Sequence, residues 1–84
     1  MTHVINQSVT VNAIYFAGAD MKTFPREIEL GGTAVTFADG LRYLVRRGQE
    51  ALQLFDMRSE DGLVYRLSRR GDDWTLLAKK GATV

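Results

Sequence analysis

Short runs of apolar, β-branched and aromatic residues alternate along the chain with turns rich in glycine and acidic residues. The runs recur roughly every 8–11 residues, a spacing typical of an all-β barrel or sandwich. Every connection after Pro25 is short, so consecutive strands are expected to pair antiparallel. The pattern therefore predicts an all-β fold. We expect a small antiparallel meander of about six to seven strands, curled into a barrel or a two-sheet sandwich.

Two dipeptides predict tight hairpin turns. Gly31-Gly32 follows the alternating run PREIEL, and a type I′ turn needs a positive φ at both of its central positions. Asp39-Gly40 follows the next strand, TAVTF, and predicts a second turn of this kind. A new strand, LRYLVRR, is then expected to begin at Leu41.

An internal repeat relates residues 40–54, GLRYLVRRGQEALQL, to residues 62–76, GLVYRLSRRGDDWTL. Each copy has Gly-Leu-x-Tyr, then a basic doublet and a glycine, then a strand-like run. The second copy has one extra residue before its doublet. The repeat predicts two β-hairpins with the glycine at each turn. An alternative α+β fold places a helix within residues 41–57, where Leu, Arg, Gln, Glu, Ala and Met are good helix formers.

Chain length and composition indicate one domain, residues 1–84, with loose tails at residues 1–7 and 81–84. The 45% hydrophobic and 25% charged content are ordinary for a globular protein. Because cysteine is absent, disulfides, thiol nucleophiles and thiolate metal sites are excluded. No apolar run is long enough to span a bilayer as a helix, and the N-terminus does not resemble a secretory signal. We therefore expect a cytoplasmic protein without membrane contact.

The chain carries no motif for a nucleotide, a metal or a catalytic triad. Its single histidine, His3, lies in the predicted tail, so we expect no metal and no cofactor. Asp56 stands between Phe55 and Met57 and is expected either to face outward or to be buried with a partner such as Arg66.

Basic side chains are the strongest candidate binding residues. Period-two alternation places Leu41, Tyr43 and Val45 inward, and it directs a set of cations to the opposite side of the sheet. Such a stripe suits phosphate groups, although the tyrosines and Trp74 are expected on the inward face, away from it. The candidate nucleic-acid or anion-binding residues are Arg42, Arg46, Arg66, Arg70 and Lys79.

Four apolar residues, Ile14, Phe16, Leu44 and Leu77, interrupt faces that are otherwise polar. They are expected to form either a second wall of the core or an exposed interface. The sequence thus favours a small non-enzymatic interaction module that binds a protein partner or forms a homodimer. The first alternative is binding of single-stranded nucleic acid or RNA through the arginine-rich face. The second is an enzyme or ligand-binding protein that uses Asp56 with a tyrosine in a barrel mouth.

Overall fold

The computed structural model describes residues 2–81 of the chain, with side chains from residue 5 onward. Six strands run antiparallel in chain order, and the first also pairs with the last, which closes a barrel. The predicted all-β meander is therefore confirmed as a barrel, and the alternative helix within residues 41–57 is wrong. The strands are β1 (Thr2–Ala17), β2 (Lys22–Leu30), β3 (Thr33–Arg47), β4 (Glu50–Ser59), β5 (Leu63–Arg70) and β6 (Asp73–Gly81).

The first residues of the chain belong to the barrel wall and not to a loose tail. Residues 2–9 of β1 pair with β6 and close the barrel, with an irregularity that leaves one extra residue between Val4 and Gln7. Asn6 has a φ of 56° there, a conformation that asparagine tolerates better than most residues. Gly81 ends β6. Residue 1 and residues 82–84 of the predicted tails lie outside the described residues, as does the side chain of His3.

Glycine turns join the strands where the sequence predicts them. Gly31 and Gly32 have φ values of 57° and 82°, as a type I′ turn between β2 and β3 requires. The two copies of the repeat are hairpins, β3–β4 and β5–β6. Gly48 and Gly71, with φ values of 59° and 62°, occupy their turns.

The predicted turn at Asp39-Gly40 is wrong, because β3 continues through it. β3 pairs with β2 only from Thr33 to Thr36 and then with β4 from Phe37 to Arg47. The register shifts between Phe37 and Asp39, so Ala38 is an extra residue in β3. A glycine within a strand can mark a close backbone approach as well as a turn. Gly40 does so here, since a Cβ would lie 2.8 Å from Cε of Met57 and 2.9 Å from the carbonyl oxygen of Asp56.

The extra residue at Ala38 reverses the faces of the rest of β3. Side chains of directly paired residues lie on the same face of a sheet, and a shift of one residue exchanges the two faces. Arg42 pairs with the fully buried Phe55, so it faces the barrel interior. Leu41, predicted inward, pairs with Asp56 on the outer face and is 70% exposed. Tyr43 and Val45 follow it outward.

A compact apolar core fills the closed part of the barrel. Its members come from β2 to β6, and side chains such as Val9, Phe24 and Trp74 pack around them. On β5, which has no register shift against β4, Leu63, Tyr65 and Leu67 face inward as predicted. The fully or nearly fully buried residues are Ile28, Phe37, Phe55, Met57, Tyr65, Leu67 and Leu76.

The close approach at Gly40 generates a prediction. Gly40→Ala adds a methyl group against Met57 and the β4 backbone, so we expect the free energy of unfolding to fall by about 1–3 kcal/mol. Urea denaturation measures the loss. Gly81→Ala is the matched control, because a Cβ at Gly81 has no neighbour within 4 Å. Equal stability of the two variants would contradict the close approach.

Candidate functional site

The five candidate cations do not share a face. Arg42, Arg46 and Lys79 lie opposite Phe55, Ala51 and Tyr65 respectively and therefore face the interior side of the sheet. Lys79 is there because a second register shift, between Arg66 and Leu67 on β5, leaves Leu77 as an extra residue in β6. Arg66 and Arg70 lie on the outer face. The prediction of one arginine-rich face is therefore wrong, and bulges in β3 and β6 are the reason.

Three arginines of the outer face, Arg58, Arg66 and Arg70, are each paired with an acid. The Arg66 guanidinium donates two hydrogen bonds to Asp56, of 2.8 Å and 3.0 Å. Arg58 pairs with Asp39 in the same two-bond manner, and Arg70 pairs with Glu50. The outer face therefore carries little net charge at these positions.

Asp56 faces outward, beside its predicted partner Arg66 and a tyrosine. The Tyr43 hydroxyl donates a 3.1 Å hydrogen bond to the carboxylate that Arg66 holds. The hydrogen bond from Arg66 is the main reason why the pKa of Asp56 lies below its usual range. Burial raises the pKa of Tyr43, and the neighbouring Asp56 raises it further. Asp56 is thus ionised and neutralised on the outer face, whereas the enzyme hypothesis places it in a barrel mouth.

Aromatic rings form a continuous column on the interior side. Phe24 stacks on Tyr15 with ring centroids 5.3 Å apart, and its edge meets Phe55 at 6.2 Å. Phe55 in turn lies 5.0 Å from the Trp74 ring. Tyr15, Phe24 and Trp74 are only half-buried, so the column reaches the surface at its two ends.

Three arginines stand over this column. Arg26 lies 4.6 Å from the centroid of Tyr15, Arg42 lies 5.7 Å from that of Phe55, and Arg69 lies 5.4 Å from that of Trp74. Among the side chains that the structure describes, none of these arginines makes an ion pair. Alternation alone does not reveal this set, because Arg42 joins it only through the bulge at Ala38. In the sequence, the only sign of this bulge is Gly40, a glycine that lies within a strand.

Two of these arginines also hold the barrel wall where β2 and β3 separate. Arg42 donates a 3.0 Å hydrogen bond to the carbonyl oxygen of Thr23, and Arg26 donates one of 3.4 Å to that of Phe37. Backbone pairing between the two strands ends at Glu27 and Thr36. Side chains therefore replace the backbone ladder along this part of the wall.

Beyond this point, β3 has an edge that no strand within residues 2–81 pairs with. We call the side of residues 39–47 that faces away from β4 the free edge of β3. The two-residue turn makes Arg47 and Glu50 a hydrogen-bonded pair, and such pairs alternate along an antiparallel ladder. The even-numbered residues therefore direct their N–H and C=O groups away from β4. These residues are Gly40, Arg42, Leu44 and Arg46.

Exposed leucines flank the free edge on both faces. Leu41 on the outer face is 70% exposed, and Leu44 on the interior side is 65% exposed. Leu44, Ile14 and Phe16 thus do not form a second wall of the core, since each is at least half exposed. The outer face also holds an open groove of about 660 Å³, lined in part by Val45. A long uncovered edge with apolar neighbours is a template for pairing with another strand.

Comparison with protein-family models, curated proteins and solved structures found no significant match for this chain. Within residues 2–81 no helix has the length and apolar character needed to cross a membrane. In the described part of the chain, no three His, Cys, Asp or Glu residues are grouped so that they could hold a metal ion. The free edge and the arginine–aromatic column are the two surfaces of the described residues that bear on function.

The ion pair of Asp56 generates a prediction about pH. Its lowered pKa in the folded state means that it stabilises the fold above about pH 4, and that this stabilisation is lost as the pH falls through the folded pKa. Asp56→Asn should lower the free energy of unfolding at pH 7 by about 1 kcal/mol and reduce its acid dependence.

Urea denaturation from pH 7 to pH 2 measures both effects, and the difference from the wild type isolates this carboxyl group. Tyr43→Phe removes only the hydroxyl and should reduce the acid dependence by a smaller amount. An Asp56→Asn variant that keeps the full wild-type acid dependence would disprove the assignment.

Proposed function

We propose that this domain is a non-enzymatic interaction module whose free β3 edge pairs with a strand of another polypeptide, a second copy being the first candidate. The observation that carries the proposal is the row of outward-directed backbone groups at Gly40, Arg42, Leu44 and Arg46, with exposed leucines on both faces. Strand addition draws its affinity from main-chain hydrogen bonds and its specificity from alternate side chains. This edge offers both.

The electrostatics of the outer face support association with a like chain. Arg58, Arg66 and Arg70 are each neutralised within the chain, so two outer faces brought side by side repel each other little. Small domains have limited cores, and association is a common way to stabilise them. An edge-to-edge contact would also cover Leu41 and Leu44.

The proposal predicts that the domain associates and that one backbone N–H controls it. Leu44→Pro removes an N–H that points away from β4, and proline is tolerated on edge strands. We expect the wild-type molar mass to rise towards that of a dimer with concentration, and the Leu44→Pro protein to stay monomeric. Light scattering from about 10 μM to 1 mM, around the Kd of a weak to moderate contact, measures both.

Leu44→Ala is the matched control, because it shortens the same exposed side chain and keeps the N–H. It should associate more tightly than Leu44→Pro. Circular dichroism confirms that all three proteins keep their strands. A wild type that stays monomeric throughout this range, or a Leu44→Pro protein that associates as well as Leu44→Ala, would overturn pairing at this edge.

Binding of single-stranded nucleic acid is the second candidate, and the arginine–aromatic column favours it. Single-strand binding sites combine cations with half-exposed rings, because the cations bind phosphates and the bases stack on rings or guanidinium planes. Strict alternation along the sequence predicts aromatic and basic residues on opposite faces. The bulge at Ala38 brings Arg42 and Arg46 to the aromatic side, where Arg69 already lies over Trp74.

An oligonucleotide titration tests this candidate. A labelled oligo-dT should bind at low salt, and Arg46→Gln with Arg69→Gln should weaken binding about tenfold and lower the salt slope by about 1.4, the loss of two phosphate contacts. These two arginines do not bridge β2 and β3, so the fold should persist.

The matched control is Arg58→Gln with Arg70→Gln, which removes the same charge from the outer face and should bind nearly as well as the wild type. Two results would eliminate the candidate: no detectable binding at low salt, or equal weakening by both double variants.

A further inference from the structure

We infer that the strand that pairs with the free edge of β3 is β3 of a second copy, in the antiparallel register that places Tyr43 opposite Tyr43. The inference rests on the proposed interaction at this edge and adds the partner and its alignment. In this register the two five-stranded surfaces that contain β3 to β6 and the first half of β1 join into one continuous sheet.

Backbone geometry restricts the possible registers. A two-fold axis that relates antiparallel edge strands stands perpendicular to the sheet, so residues of one face meet residues of the same face. The free N–H and C=O groups belong to even-numbered residues, which must therefore pair with even-numbered residues of the other copy. With Tyr43 on the axis, Arg42 meets Leu44 and Gly40 meets Arg46. These four pairs supply up to about eight main-chain hydrogen bonds.

The outer-face side chains complement themselves in this register. Leu41 lies opposite Val45, so an exposed apolar side chain gains an apolar partner. Asp39, whose carboxylate also accepts hydrogen bonds from Arg58 within its own chain, lies opposite Arg47, which makes no ion pair among the described residues. The acidic start of the free edge thus meets its basic end twice, once on each side of the axis. Opposite charges directly across a sheet stabilise the pairing.

Neighbouring registers lack this complementarity. The register with Leu44 on the two-fold axis sets Arg42 opposite Arg46 of the other copy. The register with Arg42 on the axis sets Arg42 opposite Arg42 of the other copy. Both bring two guanidinium groups together on one face, and like charges directly opposite each other destabilise a sheet. The register centred on Tyr43 avoids this contact.

Cysteine cross-linking tests the register, because the chain contains no cysteine and gives no background. Tyr43 meets its copy as a non-hydrogen-bonded pair, with Cα atoms about 4.5 Å apart, within the range that a disulfide spans. Tyr43→Cys should therefore form a disulfide-linked dimer on mild oxidation. Leu41→Cys alone should not, because its two copies lie roughly 14 Å apart. We expect the rate for Tyr43→Cys to exceed that for Leu41→Cys by about tenfold or more, as proximity predicts.

A mixture provides the second readout, independent of the Tyr43 substitution. Leu41→Cys and Val45→Cys proteins, mixed in equal amounts, should form the mixed disulfide in preference to either homodimer. Light scattering of the wild type distinguishes failure of the edge interaction from failure of the register centred on Tyr43. A dimer that Leu44→Pro disrupts, but in which Leu41→Cys cross-links as fast as Tyr43→Cys, overturns the register and leaves the edge interaction standing. A wild type that is monomeric overturns both.

Discussion

β3 leaves one neighbouring strand and joins another within a few residues, and this change of partner sets the faces of its side chains and the position of its free edge. Thr36 is the last residue paired with β2, Phe37 is the first paired with β4, and Ala38 is the extra residue between the two ladders. Bulges bend a strand and increase its twist, which is how a long strand turns a barrel corner. Gly40 follows the bulge, at a position where Met57 occupies the space that a side chain would need.

The same bulge decides the chemistry of both faces. It directs Leu41 outward and Arg42 inward, and it lies where the backbone pairing of β3 with β2 ends. The outer face then holds Arg58, Arg66 and Arg70, each paired with an acid, and the interior side holds arginines that stand over rings. A cation paired with a carboxylate contributes little net electrostatic potential at the surface, whereas a cation over an aromatic ring keeps its positive charge available to a ligand. The available charge and the open backbone thus meet on β3, where Arg42 stands over Phe55 and also belongs to the free edge.

Local sequence patterns predict much of the fold. Gly31-Gly32, Gly48 and Gly71 mark hairpins because their positive φ values suit glycine, and β5 alternates as expected because its pairing with β4 has no bulge. The sequence names Arg66 as a partner only for a buried Asp56, whereas the structure pairs the two residues on the outer face.

The faces of β3 and the end of β6 do not follow from sequence. The extra residues Ala38 and Leu77 arise where strands must bend to close the barrel, which is a tertiary requirement that alternation does not encode. The repeat illustrates the effect, because the equivalent tyrosines Tyr43 and Tyr65 face opposite sides. The extra residue in the second copy restores the match at the doublets, so Arg46 and Arg69 face the same side.

Residue-resolved amide hydrogen exchange shows whether β3 has an uncovered edge, when it is measured at a dilution where light scattering shows monomers. If β3 has an uncovered edge, protection should alternate along it: the amides of Tyr43 and Val45 bond to β4 and exchange slowly, while those of Arg42, Leu44 and Arg46 exchange quickly. Uniform protection of residues 42–46 in the monomer, or protection at the even-numbered positions only, would contradict the account.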